Sequence, residues 1–206
     1  PSVRGNRMIR MASGSRIDLT NQFLIAMPGM ADETFAGTVV YLCEHTEKGA
    51  LGLVINKPID IKLRNLFEKV ELSLDRAARA DLADQPVYFG GPVQTERGFV
   101  LHDRPGDEAI HYNSTLAIPG GLAMTTSKDV LEALAEGGGP RRVLVTLGYS
   151  GWQAGQLEDE LGRNGWLTVD ADPAVIFDTP IEQRYDRALS LLGFDPRMLS
   201  QEAGHA

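Results

Sequence analysis

The residues whose types could do chemistry gather first in Gly148-Tyr149-Ser150-Gly151-Trp152, where a serine stands between glycines at the end of an apolar run. A strand-to-helix turn of the form G-x-S-x-G exposes a nucleophilic serine in many hydrolases. Here the position two after Ser150 is Trp152, and the histidine downstream of it is His205 near the end of the chain. A hydrolase or transferase using Ser150 therefore lacks its base and orienter. The glycines predict a tight turn, with Ser150 capping the next helix. Such a turn would offer an anion free backbone N–H groups and the positive end of a helix dipole. Against that, Gly148, Gly151 and Gly155 fit neither the dinucleotide fingerprint nor the P-loop spacing, and Glu158, Asp159 and Glu160 follow closely.

Two further segments, Asn56-Lys57-Pro58 and Gly90-Gly91-Pro92, end predicted strands with residues that stop a ladder. Such ends can gather at one rim of a sheet, where Lys57 would meet an acidic ligand; alternatively, they supply turn geometry alone. The candidate ligand-binding set is Asn56, Lys57, Gly90, Gly91, Ser150, Gly151 and Trp152, with no residue assigned a catalytic role. Metal chemistry is poorly served. Cys43 and His45 are one residue apart on a predicted strand and are expected on the same side, but no second Cys or His pair completes a zinc set. His102, Asp103 and His111 form the other candidate cluster. No metal and no cofactor is expected. Trp152 and Trp166 are expected to pack, since no basic residues interleave with aromatics around them.

The elements that would position these groups follow from periodicity. Apolar or β-branched runs predict strands at Phe23 to Met27, Thr38 to Cys43, Leu51 to Ile55, Val87 to Phe89 and Phe99 to Leu101, and again at Leu116 to Ile118, Leu122 to Thr125, Val143 to Leu147 and Trp166 to Val169. Leu63, Leu66, Phe67 and Val70 fall at i, i+3, i+4 and i+7 and predict a helix. Residues 71 to 85 predict a weak helix or a connecting loop. Thr126 is expected to cap a helix carrying Val130, Leu131 and Leu134. Thr179-Pro180-Ile181-Glu182 has the form of a capping box and opens the last helix, through Leu192. Strands outnumber helices without strict alternation, which predicts an α+β fold with a mixed sheet. Residues 1–17 show no period and are expected to be a disordered leader; one domain spans 18–195, and 196–206 form a flexible tail.

Bulk properties narrow the function classes. The chain has 206 residues, 43% hydrophobic and 23% charged, enough for one core. With 28 acidic against 20 basic residues the net charge is −8, and the arginine pairs Arg76/Arg79, Arg141/Arg142 and Arg184/Arg187 are scattered, so direct nucleic-acid binding is not expected. A lone cysteine, Cys43, the lack of an apolar run long enough to span a bilayer, and the lack of a signal-peptide core point to a cytoplasmic protein without membrane association.

Four segments in order, Gln22-Phe23-Leu24-Ile25-Ala26-Met27-Pro28, Gly52-Leu53-Val54-Ile55-Asn56-Lys57-Pro58, Phe89-Gly90-Gly91-Pro92-Val93 and Leu147 to Trp152 followed by Ala154-Gly155-Gln156-Leu157-Glu158, resemble the bacterial YqgE/AlgH family. The resemblance covers roughly Asp18 to Asp195. It implies a single compact domain with a complex mixed β-sheet flanked by helices, in a bacterial cytoplasmic protein. It brings no catalytic residues, and the family's common label, transcriptional regulator linked to alginate synthesis, describes an indirect genetic role. The expected function is a non-enzymatic regulatory or interaction protein whose glycine-rich rim contacts a small anionic ligand or a protein partner. The alternatives are a DNA-associated regulator and an enzyme using Ser150.

Overall fold

A computed structural model describes residues 11–12, 16–74, 76–104 and 112–193. Among these the chain forms, in order, β1 (Met11–Ala12), β2 (Arg16–Ile17), β3 (Gln22–Ala26), β4 (Val39–Thr46), β5 (Gly49–Val54), β6 (Pro58–Lys62), α1 (Leu63–Lys69), α2 (Arg76–Ala83), β7 (Pro86–Phe89) and β8 (Val93–Asp103). Then come β9 (Thr115–Ile118), β10 (Leu122–Thr125), α3 (Asp129–Ala135), β11 (Val143–Gln153), α4 (Gln156–Gly162), β12 (Trp166–Asp170), α5 (Pro173–Phe177) and α6 (Arg184–Ser190), the last entered through a 3-10 turn at Ile181–Gln183.

The fold is α+β. Ten strands form one sheet in the order β12-β3-β4-β5-β11-β8-β10-β9, with β7 against β11 and β6 against β7. Pairing is antiparallel except between β7 and β11, so the sheet is mixed. One face carries Phe23, Ile25, Tyr41, Leu53, Phe99, Leu101 and Leu144, which pack with Val175 and Ile176 of α5 and with Ala188 and Leu189 of α6. The other face is covered in two halves. Val100, Val143 and Val145 pack under Leu63 and Phe67 of α1 and Val130 and Leu134 of α3, whereas Leu24, Ala26, Val40 and Val54 pack with Trp152, Trp166 and Leu157 of α4. Alternate residues along each strand enter different layers, as a two-residue side-chain period requires.

Two bulges reset that alternation. The register of β4 on β5 shifts between Leu42 and Glu44, leaving Cys43 as the extra residue. Tyr41 and Cys43 point into the layer under α5 and α6, but after the bulge His45 points the other way, where its Nδ1 accepts from Leu19 N–H and its Nε2 meets Glu158 of α4 at 2.5 Å. The expectation that Cys43 and His45 share a side is therefore corrected: the inserted residue flips everything after it. The second bulge lies at Gly148, where the pairing of β11 with β8 jumps between Leu147 and Tyr149.

Several local expectations also change. Residues 58–62, placed after a strand stop, form β6. Helix α3 begins at Asp129, and Thr126 does not cap it; the Asp129 carboxylate accepts from Asn113 N–H and the Ser127 hydroxyl. The capping box at Thr179 is not made, because its hydroxyl donates back to the Ala174 carbonyl. Helix α5, unforeseen, is capped by Asp172, whose carboxylate accepts from Ala174 N–H ahead of Pro173. The expected leader falls mostly outside the described residues; within it Met11–Ala12 pairs with Arg16–Ile17, and Ile17 packs against the layer under α4. The expected tail, 196–206, lies outside the described residues.

Candidate functional site

The glycine motifs meet at one place, and it is a chain crossing. Strand β11 is flanked on one edge by β8 from Val143 to Tyr149. Along the other edge β5 pairs with Ser150 to Gln153, and β7 takes over beside Thr146 and Leu147. The chain thus leaves β7 at Phe89 on one edge of β11 and enters β8 at Val93 on the opposite edge, passing over the strand in Gly90-Gly91-Pro92. The passage leaves no room for side chains. A Cβ on Gly90 would lie 2.3 Å from the Gly148 carbonyl oxygen, one on Gly91 2.1 Å from the Tyr149 carbonyl carbon, and one on Gly148 2.4 Å from the Gly91 carbonyl oxygen. Gly148 also adopts a φ of 78°, the left-handed region that glycine enters without steric cost.

Ser150 belongs to this crossing. It lies inside β11, 0% exposed, and its hydroxyl donates to the Gly90 carbonyl at 3.0 Å. The same carbonyl accepts from Val54 N–H, so one oxygen ties together the end of β5, the crossing and β11. The expected turn with Ser150 at a helix cap is corrected: the bulge at Gly148 lets the strand continue, and α4 starts only at Gln156, behind Gly155. A hydroxyl buried and committed in this way is not presented to a substrate in this conformation.

The other candidates lie to either side. The Asn56 side chain acts as a piece of strand, accepting from Val39 N–H and donating to the Gly37 carbonyl. The Lys57 carbonyl accepts from Phe89 N–H, and its ammonium lies near Gly37. Gly151 and Trp152 line a cleft of about 630 Å3 together with Glu44, Lys48, Leu51, Val93, Tyr149 and Gln153. The seven residues therefore divide: Gly90, Gly91 and Ser150 build the crossing, Gly151 and Trp152 border the cleft, and Asn56 and Lys57 brace the segment before β4. The cleft opens where α5 and α6 no longer cover the sheet, so Leu51 and Tyr149 carry the apolar layer onto the surface.

Sequence reasoning missed Glu160. Its Oε1 accepts from the indole N–H groups of both Trp152 and Trp166, at 3.1 and 2.9 Å, and its Oε2 accepts from Gln156. The two indoles meet edge to face at 6.1 Å with Phe35 stacked on Trp152, so Trp152 packs α4 on the sheet. A glutamate four residues into a predicted helix gives no signal for such a partner.

The histidines among the described residues, His45 and His102, are engaged as well. The His102 ring lies buried, with Nδ1 against the Asp103 carbonyl and Nε2 against the Thr125 hydroxyl. Burial lowers its pKa, against a smaller upward pull from the Asp103 backbone. His111, the third member of that cluster, lies outside the described residues, and among those residues no group of three His, Cys, Asp or Glu side chains could hold a metal. Three of the scattered arginines, Arg79, Arg142 and Arg184, do structural work. Arg79 donates to the carbonyls of Gly138, Pro140 and Arg141, Arg142 pairs with Asp178, and buried Arg184 donates to the Thr179 and Ile55 carbonyls over the Tyr88 ring. No helix among the described residues is long and apolar enough to cross a membrane.

Comparison with known proteins agrees with this geometry. The AlgH-like family, DUF179, matches residues 23–197. A UPF0301 protein of Ralstonia nicotianae is 69% identical over 92% of this chain and 96% of its own, and one of Cupriavidus pinatubonensis is 68% identical over 94% and 98%. The solution structure of the AlgH protein from Pseudomonas aeruginosa superposes with a TM-score of 0.73 at 50% identity, covering 95% of this chain and all of that one. A Corynebacterium diphtheriae protein at 20% identity and a TM-score of 0.65, covering 82% and 84%, shares the fold. Two of the segments that carry the resemblance, Phe89 to Val93 and Leu147 to Trp152, build the crossing over β11, and the family match spans all four: the chain belongs to the AlgH-like family.

Proposed function

We propose that this protein is a non-catalytic interaction module that takes an extended segment of a partner polypeptide into the cleft beside the C-terminal half of β11. One observation carries the proposal. Gly151 to Gln153 pair with β5 on one edge, while β8, the strand on the other edge, first pairs at Val93 opposite Tyr149. Beyond Val93 that edge of β11 borders the cleft. An added strand gains affinity from main-chain hydrogen bonds and specificity from pockets for alternate side chains; Leu51, Val93 and Tyr149 supply the apolar ground for such side chains. The cleft also holds both Glu44 and Lys48, a mixed lining that suits a polypeptide better than a small anion, and Lys57, the cation expected to hold an acidic ligand, is not among its lining residues.

The test is a photo-crosslinking amino acid at exposed Gln153, compared with the same group at exposed Glu182 on the helical side. A polypeptide crosslinked at Gln153 and not at Glu182, and lost when Leu51→Lys charges the cleft floor, is the expected result. Identical products at both positions, or products indifferent to Leu51→Lys in a folded protein, would refute the proposal.

A further inference from the structure

On the opposite face of β8 and β11, under α1 and α3, lies a second cavity of about 210 Å3. Its walls are Leu66 of α1 and Val70 just after it, Leu131 of α3, and Val100, Val145 and Leu147 of the sheet. The cavity owes its depth to a glycine. Gly98 sits in mid-strand, paired with Leu147, on the same face as Val100, and a Cβ built on it meets nothing within 4 Å. A strand-interior glycine with no crowding and no left-handed φ forgoes strand stability and packing. A valine would fit its backbone and fill the space.

The mouth is as distinctive as the floor. Its solvent-facing polar residues are Thr126, Ser127, Lys128 and Glu96, with Thr125 buried behind them. The three hydroxyls are already committed: Thr125 to His102, Thr126 to Arg97, Ser127 to Asp129. The ammonium of Lys128 and the carboxylate of Glu96 are exposed and hold no hydrogen bond or ion pair with another described residue. An apolar chamber with one unused cation and one unused anion at its entrance matches a molecule with an apolar body, one carboxylate and one ammonium.

We infer that this cavity binds a free apolar α-amino acid, its side chain over Gly98 between α1 and α3, its carboxylate on Lys128 and its ammonium on Glu96. Size is consistent: an apolar cavity of roughly 150 Å3 already holds benzene, so 210 Å3 accepts a branched aliphatic or aromatic side chain. The few placed polar groups fix orientation while the apolar walls supply contact area, the usual division of labour in small-molecule pockets. This site is separate from the cleft proposed for a partner, so either can fail without the other.

Titration of isotope-labelled protein with L-leucine and L-phenylalanine, read by amide chemical shifts, tests the inference. Expected are saturable shifts at Gly98, Thr126, Lys128 and Leu131. Affinity should fall about tenfold or more in Lys128→Gln or Glu96→Gln, as for loss of a hydrogen bond to a charged group. Gly98→Val should abolish binding while keeping the dispersed spectrum of the folded protein. 4-Methylpentanoate, which lacks the ammonium, and isoamylamine, which lacks the carboxylate, should each bind about tenfold or more weakly than leucine. The inference is overturned by an absence of shifts with both amino acids, by equal binding of leucine and 4-methylpentanoate, or by leucine binding that survives Gly98→Val.

Discussion

Gly91 lies so close under the peptide that joins Tyr149 to Ser150 that a β-carbon on it would fall 2.1 Å from the Tyr149 carbonyl carbon. That contact is backbone against backbone, and no rotamer change relieves it. Gly91 is also buried at a φ of 154°, so an alanine there meets both a collision and an unfavourable backbone. Gly91→Ala should therefore lower stability by about 3 kcal/mol or more, within the range reached by overpacking and strained backbone. Gly162→Ala, in α4 with open space around its Cβ, should be neutral or stabilising by about 0.5 kcal/mol. Urea unfolding of both variants checks the pair; equal stability of Gly91→Ala and the parent would mean that the crossing is slack.

The two tryptophans depend on one oxygen. Removing the carboxylate in Glu160→Ala leaves the indole N–H groups of Trp152 and Trp166 without their acceptor in a nearly dry layer, at a cost of about 2–4 kcal/mol for two donors. Glu160→Gln keeps an acceptor oxygen and should cost less. These are the two tryptophans of the chain, so fluorescence reports the site directly. A red-shifted folded-state emission in Glu160→Ala, absent in Glu160→Gln, is the expected outcome, and an unchanged spectrum would show that water already satisfies both indoles.

Much of the fold was legible in the residues because it is written in local periods. Leu63 and Phe67, picked out by a helical stripe, are buried in α1 as expected, and the apolar run at 143–147 is a strand covered on both faces. What was not legible involves partners far apart in sequence. The Ser150 hydroxyl finds the Gly90 carbonyl across 60 positions, and nothing in Gly-Tyr-Ser-Gly distinguishes a bulge in a long strand from the turn before a helix. Pro58 resembled a stop because proline cannot donate to a ladder, yet it opens β6 opposite Tyr88. Helix α5 is only five residues long, too short for a hydrophobic period, although Asp172-Pro173 carries the cap signal.

Cys43 offers a probe of global opening. It is the single cysteine, 1% exposed inside the layer under α5 and α6, and burial pushes its thiol pKa far above the ordinary range, with Glu44 adding a smaller push in the same direction. The thiolate is the reactive form, so the folded protein should leave a disulfide reagent unreacted at pH 8 and react stoichiometrically once denatured. The labelling rate should follow unfolding and accelerate in Gly91→Ala. Rapid labelling of the native protein would show that the bulge at Cys43 opens on its own.

His102 makes stability depend on pH with a definite sign. Its Nδ1 faces the Asp103 carbonyl and must donate, so Nε2 is the acceptor for the Thr125 hydroxyl, and Thr115 in turn bonds to Thr125. A second ring proton would cost Nε2 the hydrogen bond it accepts from Thr125 and force that hydroxyl to reorient, in a buried site whose desolvation lowers the folded-state pKa below its ordinary value. The unfolded chain, with a histidine pKa near 6.5, then takes up the proton first as pH falls. Below about that pH the unfolded state binds more protons, and stability drops. The contribution is present in full at neutral pH and is lost as pH declines from about 6.5 towards the folded-state value. Melting curves between neutral and mildly acid pH should show the midpoint falling on acidification, with a shallower fall in His102→Gln, where no ring remains to protonate. A slope identical in parent and variant would mean that the buried ring titrates as freely folded as unfolded, contrary to the hydrogen-bond chain that fixes its tautomer.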